Sequence, residues 1–419
     1  MDQLHLPRIN GARLWQALMD LAAIGATPRG GVCRIALTEA DRKGRDLVVQ
    51  WCREAGLDVR IDEIGNVFAR RAGSDPDARA VATGSHIDTQ PSGGKFDGNF
   101  GVLAGLEVMR TLDDLGIVTR APLEVAFWTN EEGTRFTPVM MGSGVFAGEF
   151  DAAFARAQTD VDGVSVGDAL AAIGYRGAQP AGAVPGGMFA AYFEAHIEQG
   201  PVLEAAGLPI GVVSGALGQQ WYDVTVTGMD AHAGPTPLAL RHDAMLAAAR
   251  MVEAVNQIAR DEAPHGRGTV GYLQVSPNSR NVIPGRVKLS VDLRAADDVV
   301  LSAMDAELKE AVQRIAAKDK VEATVEQVVY FPPQPFTPTL VSAIREAAEA
   351  QGMTWMNVIS GAGHDAVYLA RVCPTAMIFV PCLDGISHNE IEDAQPGHLE
   401  AGCNVLLQAM LQSAGVASS

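Results

Sequence analysis

The chain has 419 residues, of which 47% are hydrophobic and 20% are charged, and its formal net charge at pH 7 is −18. This composition is that of a folded protein and excludes global disorder, and the length suits two or three domains. The acidic balance argues against nucleic acid or an anionic membrane as the main partner, because both bind basic surfaces.

The cysteines and the uncharged stretches bear on the compartment. Five cysteines without a CxxC spacing predict free thiols rather than a disulfide framework or a thiolate zinc site. The segment MDQLH lacks the basic residues of a secretory signal. Residues 177–193 are predicted to form a loop and residues 401–419 an amphipathic helix, and neither suits a membrane span. We therefore expect a cytoplasmic protein.

The first third of the chain alternates helical and strand-like patterns. A capping box that starts at Thr38 predicts a helix through about Glu54, closed by Gly56. Short apolar runs at residues 80–84 and 123–128 predict buried strands of an α/β sheet. Between them, helical periodicity predicts a helix over residues 98–111.

The pattern changes after about Val213. Strands are predicted at residues 221–227, 268–275, 287–293 and 321–330, and helices at residues 243–260 and 302–317. This β-α-β-β-α-β order is that of a ferredoxin-like domain. A helix at residues 339–351 and a strand at residues 376–380 then resume the α/β pattern.

The simplest architecture is therefore an α/β domain interrupted by a smaller inserted domain. The larger domain is predicted to comprise residues 1–212 and 331–419, and the insert residues 213–330.

Polar segments that carry histidines and carboxylates follow or precede the predicted elements of the larger domain. The candidate ligands are His86, Asp97, Glu131, Glu132, His196 and His388. Because ligand sites in open α/β sheets form beyond the carboxyl ends of strands, these side chains can converge. Imidazole and carboxylate together suit zinc, manganese or cobalt, and Asp97 could bridge two ions. Spacing alone leaves open the alternative that these are unrelated surface or capped polar pairs.

Other catalytic patterns find no suitable context. There is no HExxH motif and no P-loop. A GxGxxG string at residues 266–271 leads into a predicted strand, so we attribute it to chance. A GxSxG string at residues 163–167 lacks a preceding strand, and Ser165 is predicted to cap a helix. Cys382 could be a nucleophile, although a packed thiol is the simpler reading.

Seven segments, in order along nearly the whole chain, carry a resemblance to a known family. They are GSHIDTQPSGGKFDGNFGVLAGLE from Gly84, NEEGTRFTPVMMGS from Asn130, HIEQGPVLE from His196, HAGPTP from His232, NVIPG from Asn281, SGAGHDA from Ser360 and GISHNE from Gly385. With these segments the sequence resembles the hydantoinase/carbamoylase branch of the dinuclear-metal M20 amidohydrolases. That branch includes N-carbamoyl-L-amino-acid hydrolases, allantoate amidohydrolases and bacterial-type β-ureidopropionases.

The resemblance implies a metal centre and a fold. It implies two divalent ions per subunit, zinc or manganese with cobalt or nickel possible, and Asp97 as the bridging ligand. The implied ligands are His86, Asp97, Glu132, His196 and His388. Glu131 would be the general base, and Asp88 would orient His86. The fold would be an α/β catalytic domain with a ferredoxin-like lid, and the lid would also form the interface of a homodimer.

The resemblance also implies substrate contacts. His232 would stabilise the oxyanion, and Asn281 and Arg294 would hold the substrate carboxylate. Gln199, Gly363 and His364 would make further contacts. Without the family, a turn residue is the simpler reading of His232 and a surface ion pair that of Arg294.

The expected reaction is metal-dependent hydrolysis of a linear C–N amide bond in a ureido substrate. The primary expectation is an N-carbamoyl-L-amino acid, converted to the amino acid, ammonia and carbon dioxide. Allantoate hydrolysis is the main alternative, followed by an M20 dipeptidase or aminoacylase. A metal-free binding protein is a further alternative, and the intact set of ligands argues against it.

Overall fold

The structure is a computed structural model that describes residues 6–182 and 189–417. The chain divides into two compact units, of which the first comprises Met1–Ser214 and Pro335–Ser419 and the second Gly215–Gln334. The sequence placed the two junctions after residues 212 and 330.

The elements are numbered in chain order over the described residues. The helices are α1 (Gly11–Ala22), α2 (Glu39–Glu54), α3 (Asn99–Asp114), α4 (Met141–Phe146), α5 (Ala152–Ala157), α6 (Val166–Ile173), α7 (Val202–Ala206), α8 (Ala244–Asp261), α9 (Asp298–Asp319), α10 (Pro338–Ala350), α11 (Asp365–Leu369) and α12 (Pro396–Ala414). The strands are β1 (Asp58–Ile61), β2 (Val67–Arg71), β3 (Val81–His86), β4 (Leu123–Trp128), β5 (Ala191–Ile197), β6 (Ile210–Ala216), β7 (Gly218–Thr227), β8 (Ala231–His232), β9 (Arg267–Ser276), β10 (Val282–Ile283), β11 (Arg286–Ala295), β12 (Glu322–Phe331), β13 (Gln334–Pro335), β14 (Trp355–Ser360) and β15 (Thr375–Val380). Two short 3-10 helices are Leu238–Leu240 and Leu383–Gly385.

A large mixed sheet forms the centre of the first unit. Its strand order is β1-β2-β4-β3-β5-β15-β6-β13, and β14 pairs with β6. The four central strands β4, β3, β5 and β15 are parallel, and every residue in them is buried. Burial of both faces explains why these strands appear in the sequence as continuous apolar runs. The predicted α/β class is therefore confirmed.

Several predictions for helix ends and cysteines of the first unit are confirmed. Thr38 Oγ1 accepts a hydrogen bond from Asp41 N at the start of α2, and Gly56 has a φ of +71° just after its end. Ser165 caps α6, as its place before an apolar run predicted. All five cysteines are free, which confirms the predicted thiols, and Cys382 is buried. No helix among the described residues is long and apolar enough to cross a membrane.

Two predictions for the first unit need correction. The C-terminal helix α12 is not amphipathic, because its residues are buried on nearly every side against α1, α3, α10 and β15. The predicted loop at residues 177–193 lies partly outside the described residues, at 183–188, and its last three residues, 191–193, already belong to β5.

The second unit is an antiparallel sheet covered by two helices. The strand order is β12-β7-β11-β9, and α8 and α9 pack on one face of this sheet. Along β7, the alternating residues Tyr222, Val224 and Val226 point to the helices and are buried. The main elements follow the predicted β-α-β-β-α-β order. The short ribbon of β8 and β10 is an addition that the sequence did not indicate.

Candidate metal centre

Four neighbouring strands deliver the candidate ligands to one edge of the large sheet. His86 is the last residue of β3, and His196 is the last but one of β5. Glu132 follows the end of β4, and His388 follows β15. Since these strands are parallel and adjacent, their carboxyl ends meet at the same edge, which is where such sheets bind ligands.

The carboxylate of Asp97 lies at the centre of this group. Its Oδ1 is 3.2 Å from His196 Nε2 and 3.5 Å from His86 Nε2. Its Oδ2 is 3.3 Å from His388 Nε2, which is also 3.3 Å from Glu132 Oε2. The two oxygens of Asp97 thus face different ligand atoms. Oδ1 faces His86 and His196, and Oδ2 faces His388.

Two ligand groups follow from this geometry. The first ligand group is His86, Asp97 and His196, and the second ligand group is Asp97, Glu132 and His388. Within each group the ligand atoms lie within 4.8 Å of one another. Imidazole nitrogen and carboxylate oxygen suit Zn²⁺ or Mn²⁺. The donors of each group therefore fit a divalent metal ion, and Asp97 belongs to both groups.

Asp97 is held by Gln199 and by two partners that the sequence did not single out, Ser387 and Glu392. Gln199 Nε2 donates to Asp97 Oδ2 at 2.8 Å, and Ser387 Oγ donates to the same oxygen at 2.9 Å. The backbone N–H of Asp97 donates to Glu392 Oε1 at 3.1 Å. Glu392 is 2% exposed, and a Cβ on Gly94 would overlap its carboxylate. Gln199 was expected near the substrate, and here it orients the shared carboxylate.

The two histidines of the first ligand group are oriented through their Nδ1 atoms. His86 Nδ1 lies 3.0 Å from the carbonyl oxygen of Asp88, and His196 Nδ1 lies 2.9 Å from that of Ile197. A carbonyl accepts only from a protonated nitrogen, so Nδ1 carries a proton in both rings, and Nε2 is the atom that faces Asp97 Oδ1. Nε2 of His196 also accepts from Gly98 N at 3.1 Å. The orientation of both rings leaves Nε2 as the atom that could bind a metal ion.

The predicted orienter Asp88 acts partly through its backbone. Its carboxylate oxygen Oδ1 is 3.8 Å from His86 Nδ1, farther than its own carbonyl oxygen. The carboxylate instead accepts from the backbone N–H groups of Glu131 and Glu132, both at 3.3 Å. Asp88 therefore connects the turn that carries the two glutamates to the end of β3.

Glu131, the predicted base, lies beside the first ligand group. Its Oε2 is 3.5 Å from His86 Nε2, and its side chain is buried. Burial raises the pKa of Glu131 well above its ordinary value, and the negative charges of Asp365 and Glu132 add to the effect while His86 opposes it. Burial likewise raises the pKa of Glu132 to about 7. Carboxylates crowded in this way are stabilised as anions by bound cations.

The backbone adopts left-handed conformations beside the ligands. Asn130, Gln199 and His388 have φ values of 54°, 55° and 53°, which are uncommon for residues other than glycine. Gly98, with φ of +65°, separates Asp97 from α3, and a Cβ there would lie 2.5 Å from an imidazole nitrogen of His86. Strain of this kind is concentrated at functional sites.

His364 and Gly363 border the centre. The buried ring of His364 is 4.6 Å from that of His196, and its Nε2 is 3.0 Å from Ser360 Oγ. A Cβ on Gly363 would lie 3.2 Å from the terminal carbon of Met140. Gly363 therefore leaves room beside a buried methionine.

Glu194, His196 and His364 form a further grouping of ligand atoms. Both oxygens of Glu194 are already occupied, by Ser85 Oγ at 2.7 Å and by Ala366 N at 2.9 Å. Glu194, which the sequence analysis did not consider, therefore supports β3 and α11 rather than offering a free ligand.

Three predicted substrate residues belong to the second unit. His232 in β8 pairs with Val282 in β10, and its Nδ1 accepts from Gly234 N at 3.1 Å. The carbonyl of Asn281 accepts from Ala233 N at 2.9 Å, so the ribbon keeps these two residues close in the fold. Arg294 in β11 forms an ion pair with Asp292, with Nη2 and Oδ2 2.8 Å apart. Their predicted contacts with substrate stay predictions.

Comparisons with known proteins bear on this site. The profile of Peptidase family M20/M25/M40 matches residues 82–412. The structure of an amidase of the hydantoinase/carbamoylase family from Burkholderia multivorans is 57% identical, with a TM-score of 0.95 over 97% of this chain and 98% of that one. The N-carbamoyl-L-amino-acid amidohydrolase of Rhizobium meliloti is 48% identical over 98% of both chains.

A more distant relative names another substrate. The allantoate amidohydrolase of Bacillus subtilis is 34% identical over 94% of this chain and 95% of its own. The fold, the order of the motifs and these similarities agree. The chain belongs to Peptidase family M20/M25/M40.

Proposed function

We propose that the protein is an N-carbamoyl-L-amino-acid hydrolase that uses two divalent metal ions. The observation that carries the proposal is the Asp97 carboxylate, which belongs to both ligand groups. Within each group the ligand atoms lie within 4.8 Å of one another. The similarity to the R. meliloti amidohydrolase supports the choice of substrate. The products would be the amino acid, ammonia and carbon dioxide.

The proposed ligands are the first and second ligand groups, which together offer three imidazoles and two carboxylates. Zn²⁺ or Mn²⁺ suits these donors, with Co²⁺ or Ni²⁺ as alternatives. When bound, the ions lower the pKa of water and polarise the carbonyl of the substrate.

Glu131 is the proposed general base. It lies beside the centre without being a member of either ligand group. Its Oε2 would take the proton of the attacking water and deliver it to the leaving nitrogen. Burial raises the pKa of this carboxyl above its ordinary value, and a stronger base takes a proton more readily.

Six further residues are proposed to contact the substrate. We assign the carboxylate to Asn281 and Arg294, because a guanidinium fork can bind a carboxylate through two hydrogen bonds. His232 would stabilise the oxyanion of the tetrahedral intermediate. Gly363 and His364 would border the ureido group, and Gln199 would contribute while holding Asp97.

We also propose a cytoplasmic homodimer that forms through the second unit. The sheet face opposite α8 and α9 exposes Trp221 and Tyr272, and the segment between β8 and α8 exposes Leu238 and Leu240. Apolar side chains exposed in this way are typical of subunit interfaces.

Allantoate hydrolysis is the second candidate. It is supported by the relative in B. subtilis, and it would require the same metal ligands, base and carboxylate contacts. The two candidates differ only in the substrate.

The test is ammonia release by the purified protein after loading with Mn²⁺ or Zn²⁺. N-carbamoyl-L-amino acids and allantoate are assayed in parallel, and N-carbamoyl-D-amino acids serve as the stereochemical control. Preference for the L-carbamoyl compounds supports the primary proposal. Preference for allantoate would make allantoate the proposed substrate and leave the proposed metal ligands and base unchanged. Ammonia from neither substrate, with metal bound, refutes the proposed substrate class.

A further inference from the structure

A fully buried arginine contacts both chain segments that lead to the first ligand group. Arg34 is 0% exposed. Its Nε donates to the carbonyl of Ile87 at 2.7 Å, and its Nη2 donates to Asn99 Oδ1 at 2.6 Å. Its Nη1 donates to the carbonyls of Leu21 and Ile24 at 2.9 and 2.8 Å. All four bonds end on neutral oxygens, so the guanidinium acts here as a rigid set of donors.

The two contacted segments carry proposed metal ligands. Ile87 directly follows His86 at the end of β3, and Asn99 begins α3 two residues after Asp97. Asn99 is itself oriented, since its Nδ2 donates to the carbonyl of Lys95 at 3.2 Å. The guanidinium therefore joins the two segments whose ligand atoms, His86 Nε2 and Asp97 Oδ1, lie 3.5 Å apart.

The backbone and the side chain of Arg34 are both fixed by their neighbours. Its backbone N–H donates to Thr89 Oγ1 at 2.8 Å, and Thr89 N donates to its carbonyl at 3.0 Å. Gly44 lies inside α2, where glycine costs stability, and a Cβ there would lie 2.8 Å from Arg34 Cδ. Burial lowers the pKa of Arg34 to about 10, an effect that the charges of Asp41 and Asp88 oppose, so the side chain stays protonated at neutral pH.

We propose that Arg34 is a positioning residue for the first ligand group, an inference that rests on the metal centre proposed above. By joining the end of β3 to the start of α3, the guanidinium fixes where His86 meets Asp97. The second ligand group depends on it less, because Gln199 and Ser387 hold Asp97 Oδ2 independently. The side-chain hydrogen bonds of Arg34 end on Leu21, Ile24, Ile87 and Asn99, none of which is a proposed ligand.

The test measures each ligand group separately. His388→Ala leaves the first ligand group intact, and His196→Ala leaves the second intact. Arg34→Lys is added to each background, since lysine keeps the charge and loses the planar fork that reaches two acceptors. Zn²⁺ affinity is measured by competition with a chelator. We expect Arg34→Lys to weaken binding about 10- to 100-fold in the first background and less than about threefold in the second.

Arg45→Lys is the matched control. Arg45 is also 0% exposed, and its side chain bonds to Asp41 Oδ2 at 2.9 Å, to the carbonyl of Gly65 at 2.7 Å and to Thr129 Oγ1 at 3.3 Å. None of these partners belongs to the segments of His86 and Asp97. The control should lose stability on a similar scale and keep its Zn²⁺ affinity in the His388→Ala background, where only the first ligand group is intact. In the metal-free protein, hydrogen exchange over residues 86–99 should accelerate in Arg34→Lys and not in Arg45→Lys.

A milder variant covers the case in which Arg34→Lys does not fold. Asn99→Ala removes only the acceptor of Nη2, and it should also weaken the first ligand group selectively. Equal weakening in both backgrounds, or unchanged affinity while the wild-type protein binds two ions, would overturn the inference. Wild-type protein that binds no Zn²⁺ would refute the metal centre itself, and the inference with it.

Discussion

Substitution of Gly98 by alanine tests the geometry of the first ligand group. Gly98 has a φ of +65°, and a Cβ there would lie 2.5 Å from His86 Nδ1. Ordinary van der Waals contact begins at 3.4 Å, so the imidazole or the start of α3 must move by about 0.9 Å (3.4 − 2.5). A displacement of about 1 Å in an active site can lower the rate about 100-fold. A residue with a Cβ suffers about 1–2 kcal/mol of strain in the left-handed helical region. Gly98 has a ψ of −46° and lies outside that region, so alanine is strained more strongly there.

The matched control is Gly116→Ala. Gly116 has a φ of +64°, and nothing lies within 4 Å of its added Cβ, so this variant suffers the backbone strain alone. Urea unfolding should show a loss of about 1–2 kcal/mol in Gly116→Ala and a larger loss in Gly98→Ala, whose added Cβ also meets His86. Chelator competition and kcat/KM should show weaker metal binding and about 100-fold lower activity only in Gly98→Ala. If Gly98→Ala binds two ions as tightly as Gly116→Ala and matches its kcat/KM, the reasoning about His86 is wrong.

Three further predictions follow from the site and from one buried acid. Glu131→Gln should keep its metal content and lose about 10²- to 10⁴-fold in kcat; near-normal turnover would exclude Glu131 as the base. Arg294→Ala should raise KM for carboxylated substrates while kcat changes little, and an unchanged KM would remove Arg294 from the binding site. Burial raises the pKa of Asp62 from 3.8 to about 6, so the folded state binds this proton more tightly than the unfolded state. Its contribution to stability is full below pH 3.8 and is lost as pH rises to about 6. Relative to Asp62→Asn, the wild-type free energy of unfolding should therefore fall by about 1.4 kcal/mol between pH 5 and pH 8. Urea unfolding of the two proteins at both pH values measures this. If the difference in free energy of unfolding between them is the same at pH 5 and pH 8, the prediction is wrong.

The sequence predicted the features that depend on local pattern or on recognisable motifs. The run Leu123–Trp128 is a strand over the predicted residues, because a strand buried on both faces is apolar throughout. The five proposed ligands and the proposed base lie together because each is at or after the end of a strand or just before the start of a helix. The α12 prediction was wrong because polar residues such as Asn404 and Gln412 indicated a polar face. Gln412 is exposed, but Asn404 is buried and its Oδ1 accepts from Ile9 N at 2.9 Å.

The supporting residues could not be found in this way. Glu392 holds the backbone of Asp97 from 295 positions further along the chain, and Arg34 reaches Asn99 from 65 positions before it. No local periodicity records such a pairing. The ribbon of β8 and β10 was missed for a different reason, since strands of two residues are too short to show alternation.

The order of the proposed ligands along the chain has a consequence for synthesis. His86, Asp97 and His196 all precede the second unit, whereas His388 and Glu392 follow it. A growing chain therefore contains the first ligand group long before the second can be completed. The whole second unit must be translated before all the proposed ligands are present, so a prematurely terminated chain lacks the assembled centre.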